Sequence, residues 1–453
     1  MKYYELIASL IGVLPGMLLS ERSYKSKRLK RLLKKTKKSK FYQNIYNGIN
    51  TDDITLENLS TLPPVTKQQI LNQYNEWTCN GDIKKEEINE FISSVDNLDK
   101  LFLDKYKVDS TSGTTGVKFV VPSTEKDINH MMAMGAWYTW PKLSYIIDIL
   151  TSNRPVVYII PSDGFYASVF VAKTYLGFSK NKKSAIIDFK TPTSELVKRL
   201  NEINPILIGG YVTTMLLLAD EANEKRLNID VKYMVTIGSA YSEESRAKIS
   251  KAFNCKTFTS YSCTEGGEVG CECINGHYHL SREVIVETVD NQYHPVEYGK
   301  ESDCILLTNL WNTTAPFIRY RVDDRCVLHN EPCGCGRKSK WLEVKGRETA
   351  NISFTQKDGN KISLSSLIFE IILVEIGKFT TLQLIMDSNN REFRIKSDDE
   401  ALRATYCQTL KEKLNEIEQK NNIEFNVTLS DENPFVGNTG KFQMIVPKKS
   451  NIN

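Results

Sequence analysis

The sequence predicts an α/β protein: a large N-terminal domain with mostly parallel sheets, a small antiparallel or barrel-like subdomain, and a small α+β C-terminal domain. Three observations predict it. The chain has 453 residues, too many for one ordinary hydrophobic core. Strand and helix patterns alternate between residues 156 and 253, as in a parallel sheet covered by helices. After about residue 275 strands follow one another without helices, and after about 348 a further mixed unit begins.

Residues 1–100 read as helical and polar. Their first apolar run, Leu6 to Leu19, contains Pro15 and two glycines and is too short to span a bilayer. Lys2 is the one basic residue before it, and no small-residue cleavage site follows, so it does not read as a signal peptide. A cytoplasmic protein is expected. The rival reading is an in-plane membrane helix backed by basic residues. Between Arg22 and Lys40 stand eleven Lys or Arg and no acid. Leu29, Leu32 and Leu33 at helical spacing make this run the solvated face of a helix, with contact to anionic lipid as the alternative. Leu62-Pro63-Pro64-Val65-Thr66-Lys67 is a rigid turn into a helix that Thr66 would cap.

The middle of the chain supplies the alternation. Strands are expected at Val156–Ile160, Ala185–Phe189, Ile206–Ile208 (running into Gly209-Gly210) and Tyr233–Ile237. Helices are expected at 166–177, Ser194–Ile203, Thr213–Ala222 and Glu243–Phe253. Val284–Glu287 and Ile305–Thr308 read as antiparallel strands. The last unit carries an apolar helix at Leu364–Ile376, a hairpin turning near Ser388-Asn389-Asn390, a charged helix at Glu400–Ile417 and a strand at Phe425–Leu429. The expected divisions are a helical part at 1–100, a binding core at 101–347 and a C-terminal unit at 348–453.

Composition excludes some functions. Hydrophobic residues make up 41% and charged residues 25%, ordinary for a soluble globular protein. The net charge is +4, so outside the basic run the chain is acidic, which argues against a nucleic-acid-binding protein. Ten cysteines in 453 residues are too sparse for a secreted disulfide scaffold.

Two motifs carry chemistry. In Ser110-Thr111-Ser112-Gly113-Thr114-Thr115-Gly116 two glycines let the backbone fold tightly, while hydroxyls and amides can cradle a phosphate, with Lys118 adding positive charge. It is not a Walker A loop, because the Gly-x-x-x-x-Gly-Lys spacing is missing. The second motif pairs Cys271-Glu272-Cys273-Ile274-Asn275-Gly276-His277-Tyr278-His279 with Cys333-Gly334-Cys335 about sixty residues later. Thiolates and imidazole at these spacings suit a closed tetrahedral zinc site. The spacing admits either Cys273 with His279 or Cys271 with His277; free thiols in a turn are the bland alternative.

The chain resembles the adenylate-forming superfamily of acyl-CoA ligases, and within it the phenylacetate–CoA ligase-like branch with its coenzyme F390 synthetase-like and capsule-biosynthesis-type members. The motifs run in the family's order. Leu62 to Lys67 is similar to its Leu-Pro-x-x-x-Lys element, Ser112–Gly116 to its phosphate loop and Gly238-Ser239-Ala240 to its adenine contact. Tyr261-Ser262-Cys263-Thr264-Glu265 matches Tyr-x-x-Thr-Glu, and Arg319-Tyr320-Arg321-Val322-Asp323-Asp324 resembles Arg-Tyr-Arg-Thr-Gly-Asp. Gly346-Arg347 falls at the hinge motif and Gly440-Lys441 at the C-terminal lysine.

The resemblance implies ATP-dependent activation of a small carboxylic acid, release of pyrophosphate and transfer of the acyl group to coenzyme A. Glu265 would ligate Mg²⁺, Thr264 would bond the α-phosphate, Asp324 would accept the ribose hydroxyls and Arg347 would neutralise phosphate charge. Lys441, on a mobile C-terminal unit, would bridge carboxylate and α-phosphate. Relatives favour Cys273, His279, Cys333 and Cys335 as the zinc ligands. Lys118 stands where many relatives have proline, Val322-Asp323 replaces Thr-Gly, and the coenzyme A features near Glu348-Thr349 are poorly marked. Transfer to a carrier-protein thiol, or to a sugar or amine acceptor, is therefore the alternative, and an inactive nucleotide-binding scaffold is the reading from another class. Trp137, Tyr138 and Trp140, on a helix after the loop, are candidates to line the acyl pocket, with simple core as the alternative. A dimer is compatible with the sequence.

Overall fold

A computed structural model describes residues 11–447. Outside the description lie 111–118, 140–142, 238–242, 348–350, 366–368, 377–381, 396–398, 435–444 and a few isolated positions between 161 and 192 and between 370 and 388. Thr111 to Lys118, Trp140, Gly238 to Ala240 and Lys441 are among them.

The chain opens with helices at 11–17 and Glu21–Thr36. The second buries Leu29, Leu32 and Leu33 and is capped by the Ser20 side chain. Further on, Thr66 and Gln69 exchange hydrogen bonds in a capping box that starts the helix Lys67–Asn72, the cap expected from the sequence. Strands β1 (Tyr106–Ser110) and β2 (Val120–Thr124) then pair antiparallel, with Ser110 opposite Val120. Residues 111–118, most of the hydroxyl-rich motif, lie between these strands in the chain and outside the description.

The centre is a nine-stranded sheet built from β3 (Val156–Ile160), β4 (Ala185–Asp188), β5 (Leu207–Tyr211), β6 (Tyr233–Ile237), β7 (Lys256–Cys263), β8 (Gly267–Glu272), β9 (Tyr278–Leu280), β13 (Asp324–His329) and β14 (Trp341–Arg347). Its order is β13-β14-β9-β8-β7-β6-β5-β3-β4. From β4 to β7 neighbours are parallel; from β7 to β13 they are antiparallel. The antiparallel strands from β7 to β13 therefore continue the parallel sheet through the shared strand β7. The remaining strands of that region, β10 (Val284–Val289), β11 (Cys304–Asn309) and β12 (Tyr320–Val322), form a small antiparallel sheet of their own.

Alternate residues of β3 face opposite cores: Val157 and Ile159 pack with Leu196, Leu200 and Met215, and Val156, Tyr158 and Ile160 with Val169 and Ala172. Helices thus cover both faces, which is why these strands read as unbroken apolar runs. Gly209 and Gly210 let β5 lie against β3: a Cβ at Gly209 would stand 2.4 Å from the Tyr158 ring, and one at Gly210 2.7 Å from the Ile159 carbonyl.

A distinct core gathers side chains from Ile352 to Ile445. It packs the helix Glu400–Asn421 against β17 (Leu382–Asp387) and β18 (Asn390–Ile395), with β19 (Asn426–Leu429) and β20 (Ile445–Pro447) at the edges. Before it comes a hairpin of β15 (Asn351–Thr355) and β16 (Lys361–Ser365). Leu364, expected to start a helix, lies in β16 opposite Ile352. Its apolar neighbours fit both periods, and the cross-strand partner decides.

Candidate functional site

Two hairpins of the nine-stranded sheet bring the motif residues together. Thr264, Glu265 and Gly266 form the turn between β7 and β8. The Gly266 amide donates to the Cys263 carbonyl (3.2 Å), the Trp311 indole donates to the Gly266 carbonyl (2.9 Å), and the Asn309 side chain donates to the Glu265 carbonyl (2.6 Å). Gly267 has φ +68°, and a Cβ there would sit 3.1 Å from the Trp311 nitrogen. The turn is fixed from outside itself, which holds the Thr264 and Glu265 side chains in place. The Tyr320 hydroxyl donates to Glu265 Oε1 at 3.2 Å. Burial, with the Glu265 charge beside it, raises the Tyr320 phenol well above its ordinary range, so it stays a donor.

Asp324 opens β13 directly opposite Arg347 at the end of β14. It is buried, and the Tyr261 hydroxyl donates to its Oδ2 at 2.5 Å. Burial, then the Asp324 charge, raises the Tyr261 phenol. Asp323 is instead half-exposed and pairs with Arg321 at 2.7 Å. Of the two adjacent acids, Asp324 is the one joined to the Tyr-x-x-Thr-Glu motif. Arg319, the first motif arginine, is buried and works on the fold. It pairs with Glu287 at 3.0 Å and donates to the carbonyls of Ser60 and Leu62, while Val65 bonds the backbone of Arg319 and Arg321. The Leu-Pro element and the Arg-Tyr-Arg element are thus one packed unit. Ser110, at the foot of the loop, is buried on the Phe165 carbonyl. Desolvation pushes the neighbouring Asp109 carboxyl up to about 7, with the Lys107 charge opposing it.

Trp137 and Tyr138 lie on the helix Glu125–Thr139 and pack against the cluster of Val13, Tyr24, Ala133 and Met134. The same helix ends on β8: Thr139 Oγ1 donates to Glu268 at 2.5 Å and lies 3.9 Å from the Cys271 sulfur. Burial raises the Glu268 carboxyl. The sequence reading missed Glu268, Tyr320 and Asn309; Tyr320 sits inside a quoted motif, whereas the other two have no sequence signal apart from their contacts.

At the opposite ends of the two hairpins, Cys273 beyond β8, His279 in β9 and Cys333 and Cys335 between β13 and β14 place their ligand atoms within 4.8 Å of one another. Cys273 and Cys333 sulfurs stand 3.7 Å apart, far beyond a disulfide and near the roughly 3.8 Å of two sulfurs each 2.3 Å from a tetrahedral zinc. His279 Nε2 lies 3.0 and 3.2 Å from the sulfurs of Cys333 and Cys335. Its Nδ1 is 3.0 Å from the Ser339 carbonyl, the second contact that orients a metal-binding imidazole. The amides of Asn275 and Arg337 donate to the sulfurs of Cys273 and Cys335 at 3.4 Å. Burial opposes ionisation of Cys335, but hydrogen bonds from Cys333 and the Arg337 amide hold its thiol below the ordinary range. The donor set fits zinc. Of the alternative pair, Cys271 is buried beside Glu268 and His277 stacks on Trp341 with ring centroids 3.8 Å apart; neither is in the cluster. Arg337 also donates to the carbonyls of Cys271 and Tyr138, each at 3.2 Å, tying this knuckle to the helix that ends at Thr139.

No family model matches the chain. It is 23% identical over 309 residues to Protein CapK of Staphylococcus aureus, a match covering 65% of this chain and 60% of that protein, thus less than two thirds of the relative. Its fold is similar to 2-hydroxyisobutyryl-CoA ligase in the postadenylation state with 2-HIB-AMP: TM-score 0.66 and 16% identity, over 94% of this chain and 90% of that one. The same ligase with 2-HIB-AMP and CoA in the thioesterification state gives 0.56 and 17%, over 94% and 89%. McyG A-PCP with phenylalanyl-adenylate gives 0.51 and 14%, over 74% and 64%.

Proposed function

We propose, on the premise that this chain belongs by fold to the adenylate-forming superfamily, that it activates a small carboxylic acid with ATP. A carboxylate oxygen attacks the α-phosphorus, the bond from that phosphorus to the bridging oxygen breaks, and pyrophosphate leaves. A thiol then attacks the acyl carbonyl and expels AMP, giving up its proton. Coenzyme A is the acceptor we favour, supported by the likeness to a CoA ligase over 94% of the chain. The weaker likeness to an A-PCP protein keeps a carrier-protein thiol as the second reading; a sugar or amine acceptor is the third.

The observation that carries the proposal is the bond from Tyr261 to Asp324. It joins the strand leading to Thr264 and Glu265 with the strand pair that begins at Asp324 and ends at Arg347. In our reading Asp324 accepts the ribose hydroxyls, as suits a fixed carboxylate. Thr264 would bond the α-phosphate, and Glu265, which accepts from Tyr320, would hold Mg²⁺ through carboxylate oxygen. Arg347 offsets charge that develops on the phosphate. The loop Ser110–Gly116 with Lys118 would cradle the β- and γ-phosphates, Gly238-Ser239-Ala240 would contact adenine, and Lys441 would bridge the two anionic reactants. Both reactants are anions, so positioning and charge neutralisation supply most of the rate. Trp137, Tyr138 and Trp140 are proposed for the acyl side. Zinc, held by Cys273, His279, Cys333 and Cys335, is assigned a structural part, since four protein ligands leave no open position.

ATP–pyrophosphate exchange over a panel of aromatic, fatty and hydroxy acids tests the proposal. Exchange that depends on one class of acid supports it; a folded, metal-replete protein that exchanges with no acid would favour the inactive scaffold.

A further inference from the structure

The N-terminal segment presents two unpartnered surfaces side by side in sequence. On the helix at 11–17 and its end, Val13, Met17 and Leu19 pack into the fold beside Tyr24, Ala133 and Met134. The other face is apolar too, yet open: Ile11 is 60%, Leu14 40% and Leu18 88% exposed. Their spacing, three then four residues, puts them on one side of a helix. This is not a frayed tail. Arg282 donates to the carbonyls of Gly16, Met17 and Leu19, the last at 2.9 Å, and a Cβ at Gly16 would stand 2.7 Å from the Tyr24 ring. Among the described residues nothing covers these three large apolar side chains.

The helix Glu21–Thr36 begins three residues after Leu18. Its leucines point inward, while Lys27, Lys30 and Lys34, again three then four residues apart, are exposed, and Lys38 continues the line. Arg22, Arg31 and Lys37 pair with Glu57, Asp127 and Asp52, but no described carboxylate pairs with Lys27, Lys30, Lys34 or Lys38. At the edge of this stripe Arg31 and Lys35 line an open pocket of about 330 Å³, together with Lys105 and Lys126. Among the described residues no helix is long and apolar enough to cross a membrane.

We propose that this surface docks the protein on an anionic membrane. Ile11, Leu14 and Leu18 enter the boundary between headgroups and acyl chains, and the lysine stripe meets lipid phosphates. Exposed apolar side chains followed directly along the chain by exposed lysines with no described carboxylate partner fit this occupant better than the others. A nucleic acid would use the lysines and leave Leu18 idle. A second copy docking by the same face would set lysines against lysines. The inference does not rest on the adenylation reading, since it uses none of that site's residues.

Co-sedimentation of the full chain with phosphatidylcholine vesicles, with and without phosphatidylglycerol, tests it. Binding is expected to the anionic vesicles only and to weaken with salt. A lysine at an anionic surface is worth roughly fivefold in partition, so the triple variant Lys27→Gln/Lys30→Gln/Lys34→Gln should bind about a hundredfold less. Leu14→Ser/Leu18→Ser should lose binding while the thermal midpoint holds, since both side chains are already exposed. Equal binding to neutral vesicles, or a triple variant that binds like the parent, overturns the proposal. So does binding to a DNA duplex without binding to vesicles. A dimer seen by sedimentation velocity that Leu18→Ser dissociates, with no vesicle binding, overturns it in favour of a second copy.

Discussion

At the scale of single residues, the two adjacent acids of the Arg-Tyr-Arg motif make the sharpest test. Asp324 is buried and accepts from Tyr261, whereas Asp323 is half-exposed on Arg321. A hydrogen bond to a charged group is worth about 1.5–3 kcal/mol, and about 1.4 kcal/mol is a tenfold change in affinity. Asp324→Asn should therefore raise the KM for ATP at least tenfold, and Tyr261→Phe by about tenfold through loss of positioning. Asp323→Asn should leave it near the parent value; equal effects of both Asn variants would refute the assignment of Asp324. Lys441→Ala should abolish pyrophosphate exchange while equilibrium ATP binding persists. The motif's last position selected Asp324 in the sequence. The helper residues Asn309 and Tyr320 could not be chosen that way, because their roles come from contacts across 44 and 55 residues.

At the scale of elements, the hairpins β7–β8 and β13–β14 each carry proposed nucleotide residues at one end, with the Cys/His knuckle near the other. A metal there would clamp the far ends and restrain the near ones. Purified protein should contain one zinc per chain by mass spectrometry. Cys333→Ser or Cys335→Ser should lose the metal and lower the thermal midpoint, since binding energy of a structural metal is folding energy. Cys271→Ser should keep the metal, because Cys271 lies outside the cluster. A zinc content unchanged in Cys335→Ser would overturn the ligand set. Two spacings of Cys and His were open in the sequence, and short-range spacing alone does not tell which sulfur a strand turns toward a distant loop. The same limit explains the hairpin at 351–365, where apolar Leu364 read as helix until its partner Ile352 was known.

At the scale of the molecule, the first helices are joined to the core by a buried charge cluster. Arg28 and Glu283 pair at 3.2 Å, His130 stands 3.2 Å from the same carboxylate, and the Tyr24 hydroxyl donates to it. Burial alone would raise the Glu283 carboxyl. The hydrogen bond and charge of His130, the charge of Arg28 and the Tyr24 hydroxyl outweigh that and hold it below 4.5. A depressed carboxylate stabilises the fold fully above its unfolded value and loses that contribution as pH falls through its folded value. Glu283→Gln, by breaking a buried pair, should cost about 3 kcal/mol near neutral pH. The gap in thermal midpoint between parent and variant should then narrow as pH falls below the ordinary carboxylate range, through the depressed folded value of Glu283. A gap that stays constant with pH would show that Glu283 contributes by packing alone.

The sequence by itself determined the alternation of strands and helices from 156 to 253, the Thr66 cap, the inward leucines of the first basic helix and the family resemblance. These are local facts: periodicity, capping chemistry and short motifs act over a few residues, and a linear reading captures them. Only the tertiary structure decided that the parallel and antiparallel strands share β7 in one sheet, which of the paired cysteines and histidines converge, that Tyr261 reaches Asp324, and that no described residue covers Ile11, Leu14 and Leu18. Each depends on which distant surfaces meet, and that is set by packing the whole chain at once. The Ser110–Gly116 loop belongs to both levels: its composition suggested an anion cradle, while the pairing of Ser110 with Val120, which joins the strands on either side of it, came from the tertiary structure.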